Sequence, residues 1–261
     1  MRLLFTTVGK MRLAKFLAVK NVCSRRDAEK HIVQGNVVVN GQVINSPVFF
    51  VDDNDVVSFC GKYVNKEIQP KLWMYYKPNG EITSHNDPQK RKTVFESVKQ
   101  KGLPRVVSIG RLDINSEGLI LLTNSSTLAH ELETTHLQRV YKVRAFGVID
   151  DKKLSKYAEI SDDMSEIILK NIVISGIRYM PIRISIEAKQ AQPSISHNFW
   201  LTVAITEGKN REIRKIMNFI GLQVNRLIRI QYGPYAIGDM RPGEINECLK
   251  SFAKNNKLCS G

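Results

Sequence analysis

The chain has 261 residues, 43% hydrophobic and 8% aromatic, enough for one large folded domain or two of unequal size. Its 39 Lys and Arg outnumber 25 Asp and Glu for a formal charge of +14, which makes a polyanion such as nucleic acid the first partner to consider. No window approaches eighteen unbroken apolar residues and residues 1–10 are too weakly apolar for a secretory signal, so the expectation is a cytoplasmic protein that does not enter membranes. Cys23, Cys60, Cys248 and Cys259 form no CxxC, and the five histidines form no HExxH-like pattern, so neither a disulfide framework nor a metal site is expected.

A second methionine, Met11, opens the first patterned segment, and residues 1–10 read as an extension. Leu13, Phe16 and Leu17 recur at helical spacing. Ser24 followed by Asp27 matches a capping box, so a second helix is predicted there, with Ala28 and Ile32 inward and Gly35 at its end. Val37–Val39 reads as a strand, and Asn40-Gly41 is the favoured dipeptide for a tight hairpin turn. Between Lys10 and Gln34 seven basic residues, among them Arg12, Lys15, Arg25 and Arg26, face only Asp27 and Glu29, a net charge of +5. Arg25 and Arg26 fall in the first turn of the second helix, where the helix dipole disfavours cations but free N–H groups favour phosphate. A bound anion accounts for them; a solvated helix face is the plain alternative.

Periodicity is lost over Phe59–Lys71, which places a linker at 61–70 between a front domain at 11–60 and a second domain at 71–250. In the second domain LWMYY, VVSI, GLILLTN, RVYKVRAFGVI, EIILKNIVI, PIRISIEA and FWLTVAIT read as strands, and helices are predicted over 93–100, 126–133, 150–157 and 210–220. Many strands and few helices predict an α+β domain with a mixed, mostly antiparallel sheet and flanking helices. GxGxxG and Walker sequences are absent, so nucleotide-cofactor folds have no support. The polar run 189–198 reads as a hairpin insertion of unassigned role.

Two segments could carry chemistry. In SIGRLDINSEGLILLTN, Arg111 and Asp113 share a face of an extended loop between Gly110 and Gly118. On spacing alone Asp113 could equally be a turn residue or half of a structural ion pair. In ITEGKNREIRKIMNFIGLQVNRLIRI, Ile213, Ile216, Met217 and Ile220 form one buried helix stripe. Lys209, Arg211, Arg214 and Lys215 crowd its opening. A solvated face suits most of these, whereas Arg214, beside the stripe, could reach a cleft and pair with an acid. Leu227 and Arg229 share one side of the strand that follows.

The residues MRLAKFLA, SRRDAEKHI and GNVVVNG resemble the αL RNA-binding motif first known from a small-subunit ribosomal protein. YYKPNG, NDPQKRKTVFESV, GRLDINSEGLILLTN, RVYKVRAFG, EGKNREIRKIMNFIGLQVNRLIRI and GDMRPGE, in this order, resemble the bacterial RNA pseudouridine synthases that modify ribosomal RNA and carry such a front module. The subgroup acting on large-subunit rRNA matches best. The resemblance implies a two-helix-plus-hairpin module ahead of a pseudouridine synthase domain, and isomerisation of a specific rRNA uridine without cofactor or metal. It assigns Asp113 as nucleophile, Tyr141 as the tyrosine that stacks on the target base, and Arg214 as the aspartate's basic partner. Leu227 would line the base pocket and Arg111 would help displace the target nucleotide. Arg12, Lys15, Arg25, Arg26, Lys209 and Arg211 complete the expected RNA contacts, and a monomer is the expected state. Between Leu132 and Tyr141, ETTHLQRVY is shorter than in most relatives and lacks their common proline. The competing reading is a non-catalytic rRNA-binding assembly factor, which accounts for the charge and front module but not for Asp113 with Arg214.

Overall fold

A computed structural model of the chain describes residues 9–64, 69–161, 166–186 and 198–248. Of the expected insertion only Asn198 is described. Residues 1–8, the linker's centre at 65–68 and the last two positions expected for the second domain fall outside. No helix among the described residues is long and apolar enough to cross a membrane.

The front unit runs β1 (Met11–Arg12), α1 (Leu13–Val19), α2 (Arg25–Val33), β2 (Val37–Val39), β3 (Gln42–Val43), β4 (Phe50–Val51), β5 (Val57–Phe59) and β6 (Lys62–Tyr63). Helix α2 starts where the pattern predicts. Ser24 accepts the Asp27 N–H at 3.1 Å, and its hydroxyl donates back to the Asp27 carboxylate at 2.7 Å. Gly35, at φ +75°, supplies the left-handed residue just past the helix end. Asn40 and Gly41 both have positive φ, as a two-residue turn between β2 and β3 requires. Leu13, Phe16, Leu17, Ala28, Ile32, Val37, Val51 and Val57 form a small core of their own. Asn21 and Arg105 join this unit to the rest by a reciprocal pair: the Asn21 amide donates to the Arg105 carbonyl at 2.7 Å, and the guanidinium donates back to Asn21 Oδ1 at 2.6 Å.

The second unit begins with β7 (Leu72–Lys77), α3 (Val94–Gln100), β8 (Val107–Ile109), β9 (Glu117–Thr123), α4 (Ser126–Thr134) and β10 (Arg139–Gly147). There follow α5 (Asp151–Tyr157), β11 (Ala158–Ile160), β12 (Glu166–Leu169), β13 (Val173–Ile174), β14 (Ile177–Arg178) and β15 (Ile182–Ile186). The described chain ends with β16 (Phe199–Ile205), α6 (Glu212–Phe219), β17 (Leu222–Tyr232), β18 (Tyr235–Ala236) and β19 (Ile245–Glu247). One large sheet has the order β11-β12-β15-β16-β10-β17-β9-β7-β19, with β18 on β17 and β8 on β9. The α+β expectation is met, with helices few and peripheral. The stretch EIILKNIVI is a difference: β12 joins the large sheet, whereas β13 pairs with β14 in a separate ribbon after Asn171 takes φ +57°.

Strand β9 explains its unbroken hydrophobic spelling, because it is buried along its whole length. Ile120 and Leu122 enter the larger core, whereas Leu119 and Leu121 enter a second one with Ile109, Leu132 and Tyr232. Ile213, Ile216, Met217 and Ile220 of α6 are buried in the larger core, each stabilising by about 1.5–3 kcal/mol.

The join between β17 and β9 positions everything that follows. It is the parallel pairing among otherwise antiparallel described pairings of this sheet, and it spans only Ile228 with Glu117 and Arg229 with Gly118. A Cβ on Gly118, which sits at φ +99°, would stand 2.3 Å from the Arg229 carbonyl oxygen, so only glycine allows the two backbones so close. Gly118→Ala is therefore expected to lower stability by at least about 2 kcal/mol in urea unfolding. Gly41→Ala, at a positive φ with open space around it, should cost only about 1–2 kcal/mol.

Candidate active site

Above the β17–β9 join lies a cleft of about 560 Å³. Arg111 and Asp113 reach it from the loop before β9, Tyr141 from β10, Leu227 from β17, and Lys209, Arg211 and Arg214 from the loop after β16 and from α6. The structure thus brings together seven residues scattered over more than a hundred positions of sequence. Arg12, Lys15, Arg25 and Arg26 lie apart, exposed on the front unit, and none has an ion pair among the described residues.

The loop bearing Asp113 is held by its carbonyls. Thr83 Oγ1 donates to Leu112 O at 3.0 Å, Ser116 N–H to Asp113 O at 3.0 Å, and Gly80 N–H to Ile114 O at 2.9 Å. Arg214 Nη2 donates to Asn115 O at 2.9 Å. Lys77 Nζ donates to Ser116 O at 2.8 Å, Pro78 O at 3.0 Å and Ile114 O at 3.3 Å. Every carbonyl from Leu112 to Ser116 therefore has a donor. The Lys77 side chain is fully buried, and burial pushes its ammonium down to about 8, against the pull of Glu81, Glu117 and Asp113. Lys77 stands in the YYKPNG segment, which carried the resemblance but had no role assigned to it.

The Asp113 carboxylate itself stays uncommitted. It accepts no hydrogen bond from the described residues, its side chain is 37% exposed, and its ion pair is with Arg211 at 3.6 Å. The resemblance implies Arg214 in that place. Arg214 instead donates Nη1 to Val224 O and Nη2 to Asn115 O, both at 2.9 Å, and its Nε is buried without a partner. Burial, with Arg211 close by, lowers the Arg214 pKa, and Asp113 opposes that shift. The physical reason for the exchange is backbone conformation. Arg211, the residue before α6, takes φ +52°, strained for a side chain of its size, and in that conformation its guanidinium stands 3.6 Å from Asp113.

The cleft holds more charge than the sequence reading named. Arg91, Arg139 and Arg229 also line it, making seven cationic side chains against Asp113, Glu133 and Glu212. That surplus suits an anionic substrate. Arg91 is committed to Asp87, whose carboxyl it holds down at about 2. Arg139 donates to the Tyr232 hydroxyl at 3.1 Å, and Arg229 donates Nε to Leu119 O at 2.6 Å. Lys209 is engaged too, with Glu207 at 2.6 Å and the Arg178 carbonyl at 2.6 Å. Arg111 is exposed and, unlike Arg91, Lys209 and Arg211, has no ion pair among the described residues. No pattern in the sequence marks Arg139 or Glu133, because Arg139 meets the cleft through sheet order and Glu133 through the packing of α4, where it accepts the Gly110 N–H at 2.6 Å.

Glu212 was also missed, since the first turn of a helix is an ordinary place for an acid. It is 3% exposed, accepts the Lys209 N–H at 2.9 Å, and lies against Glu207. Burial raises its carboxyl to about 7, whereas Glu207, held by Lys209 and the Met180 N–H, is pulled down. Burial thus favours the protonated form of Glu212, whereas Lys209 and the Met180 N–H favour the ionised form of Glu207. A folded pKa of about 7 above the unfolded value means that this group's stabilising contribution is complete at low pH. It is lost as pH rises from about 4.5 through 7. Glu212→Gln, whose amide can donate permanently to Glu207, should remove that decline and raise stability at pH 8 by about 2–3 kcal/mol. Thermal unfolding of both proteins between pH 5 and 8 checks this.

Residues 71–219 match the RNA pseudouridylate synthase family, and residues 11–57 match the S4 domain. An uncharacterized RNA pseudouridine synthase of Rickettsia conorii is 49% identical over 94% of this chain and 99% of its own length. Ribosomal large subunit pseudouridine synthase B of Haemophilus influenzae is 34% identical over 85% of this chain and 60% of its own. A solved pseudouridylate synthase shares the fold, with a TM-score of 0.56 at 21% identity, covering 92% of this chain and 97% of that one. With an S4 domain in front and the catalytic family match behind it, the chain belongs to the RNA pseudouridine synthases.

Proposed function

We propose that this enzyme isomerises one uridine of large-subunit ribosomal RNA to pseudouridine, with Asp113 as the nucleophile. The observation that carries the reading is the Asp113 carboxylate, free of hydrogen bonds in a cationic cleft while its loop is tied at every carbonyl. A nucleophile needs open lone pairs on a fixed backbone, and this loop supplies both. The likeness to the large subunit enzyme of Haemophilus influenzae supports the choice of RNA.

The reaction breaks the bond from ribose C1′ to N1 of the base and joins C1′ to C5. The C5 proton leaves and N1 gains one, so no oxidant, reductant or redox cofactor enters. Asp113 forms the transient covalent bond that splits the exchange into two steps. Arg211 is the direct counter-charge that keeps it ionised, and Arg214 acts from behind, fixing the loop through Asn115 O. Tyr141 provides the stacking face for the base, worth about 1–3 kcal/mol, and Leu227 the apolar wall beside it. Extruding a uridine from its stack costs a few kcal/mol, which favours loops and weakly paired sites. Arg111, exposed and without an ion pair among the described residues, would enter the space the base leaves. Lys209 belongs to the fold of the 206–211 loop more than to RNA contact, because Glu207 and Arg178 already engage it. Arg12, Lys15, Arg25 and Arg26 of the S4 domain grip phosphates. The enzyme acts as a cytoplasmic monomer.

Pseudouridine mapping of ribosomal RNA from cells with wild type, Asp113→Asn or no protein tests the reaction. One uridine modified by wild type alone is the expected outcome, with the Asp113→Asn protein at background yet still binding RNA. No difference at any position, with binding intact, would leave the assembly-factor reading. Reversing the charge of Arg25 and Arg26 should weaken rRNA binding and flatten its dependence on salt by about 0.7–0.9 log units per lost phosphate contact. A double variant that binds like wild type would remove both residues from the RNA interface.

A further inference from the structure

Strand β10 alternates. Tyr141, Val143 and Ala145 are buried, whereas Lys142, Arg144 and Phe146 are exposed on the opposite face. On β17 the same alternation buries Leu227 and Arg229 and turns Arg226 outward. The register sets Arg144 directly opposite Arg226. Like charges facing each other across an antiparallel pair destabilise it unless something neutralises them. Glu117 does so for Arg226 through two hydrogen bonds of 2.7 and 2.8 Å. Arg144 has no carboxylate or carbonyl partner among the described residues. Beside it opens a second cavity of about 520 Å³, walled by Arg144, Arg214, Arg226, Glu117, Asn79 and Asn115. Three guanidinium groups there face one carboxylate, which Arg226 already occupies. Arg214 is a wall of both cavities, so the two lie on either side of one side chain.

We infer that this second cavity is a binding site for a phosphodiester of the RNA strand that carries the target uridine, held by Arg144 with help from Arg226. It rests on the proposed function to the extent that the same RNA strand also enters the first cavity. A guanidinium fork matches the two non-bridging oxygens of a phosphodiester, and the Asn79 and Asn115 amides can donate to the same group. A bound phosphate neutralises Arg144, relieves its repulsion with Arg226, and ties the RNA backbone to the loop that holds Asp113. This site lies on the face of the sheet opposite Tyr141 and uses no residue of the S4 domain.

The test uses the full chain and a transcript of large-subunit ribosomal RNA labelled with [5-³H]uridine, whose tritium is released when C5 loses its hydrogen. Binding is titrated over a range of KCl for wild type, Arg144→Ala and Arg144→Lys. Arg144→Ala should bind about three- to tenfold more weakly, with the slope of log affinity against log salt shallower by about 0.7–0.9, one phosphate contact. Arg144→Lys keeps the charge and should keep the slope. An Arg144→Ala protein with wild-type affinity and slope overturns the site, and shows that the arginine meets solvent or free phosphate only. Tritium release separates this from the catalytic reading: none by wild type on a transcript that it binds overturns the proposed function, while the comparison of slopes still decides the phosphate site.

Discussion

A buried ammonium holds the loop that bears Asp113. Lys77 is fully buried, and among the described residues its ammonium donates to no carboxylate, only to the carbonyls of Pro78, Ile114 and Ser116. Removing such a charge from water is expensive, and three acceptors arranged about it offset the cost only if the chain brings them there. The loop before β9 is therefore shaped by the need to solvate Lys77. The same shape leaves Asp113 with its side chain pointed into the cleft and its backbone unable to drift. Thr83, Gly80, Ser116 and Arg214 complete the set of donors. A carboxylate on a free loop would gain nothing from nearby cations that it could equally reach by moving; on this loop its position is imposed.

The short parallel join of β17 with β9 is the second constraint. It brings the strand carrying Leu227 and Arg229 against the strand that follows the Asp113 loop, and Gly118 permits the approach. Because the pairing lasts for two residues only, the sheet parts above it, and Arg214 from α6 fills the gap with bonds to both sides. Cleft, Asp113 loop and helix are thus parts of one mechanical unit. The positive charge of the chain gathers around this unit and on α2, where Arg25 and Arg26 remain unpaired.

Local features were legible because they are local. Ser24, Gly35 and the Asn40-Gly41 turn act within four or five residues, and the helix over 210–220 followed from one stripe of isoleucines and methionine. The short pairing partners were not legible. Whether Arg211 or Arg214 faces Asp113 depends on a left-handed residue at position 211, which a helix stripe does not encode. Glu212 reads as a routine first-turn acid until Glu207 is found beside it. Arg144 and Arg226 look like the polar half of two amphipathic strands, and their opposition exists only in the register between β10 and β17.

By itself, the sequence determined the α+β organisation and the basic helical front module through composition, periodicity and spacing, which are properties of neighbouring positions. Asp113, Tyr141, Arg214 and Leu227 were singled out only by the resemblance that its ordered motifs carry. Only the tertiary structure decided which cation touches Asp113, what immobilises its loop, and where unpaired charge remains exposed. Those are contacts between residues as much as 109 positions apart, as with Glu117 and Arg226. They are set by the balance of burial, desolvation and hydrogen bonding once the sheet has closed.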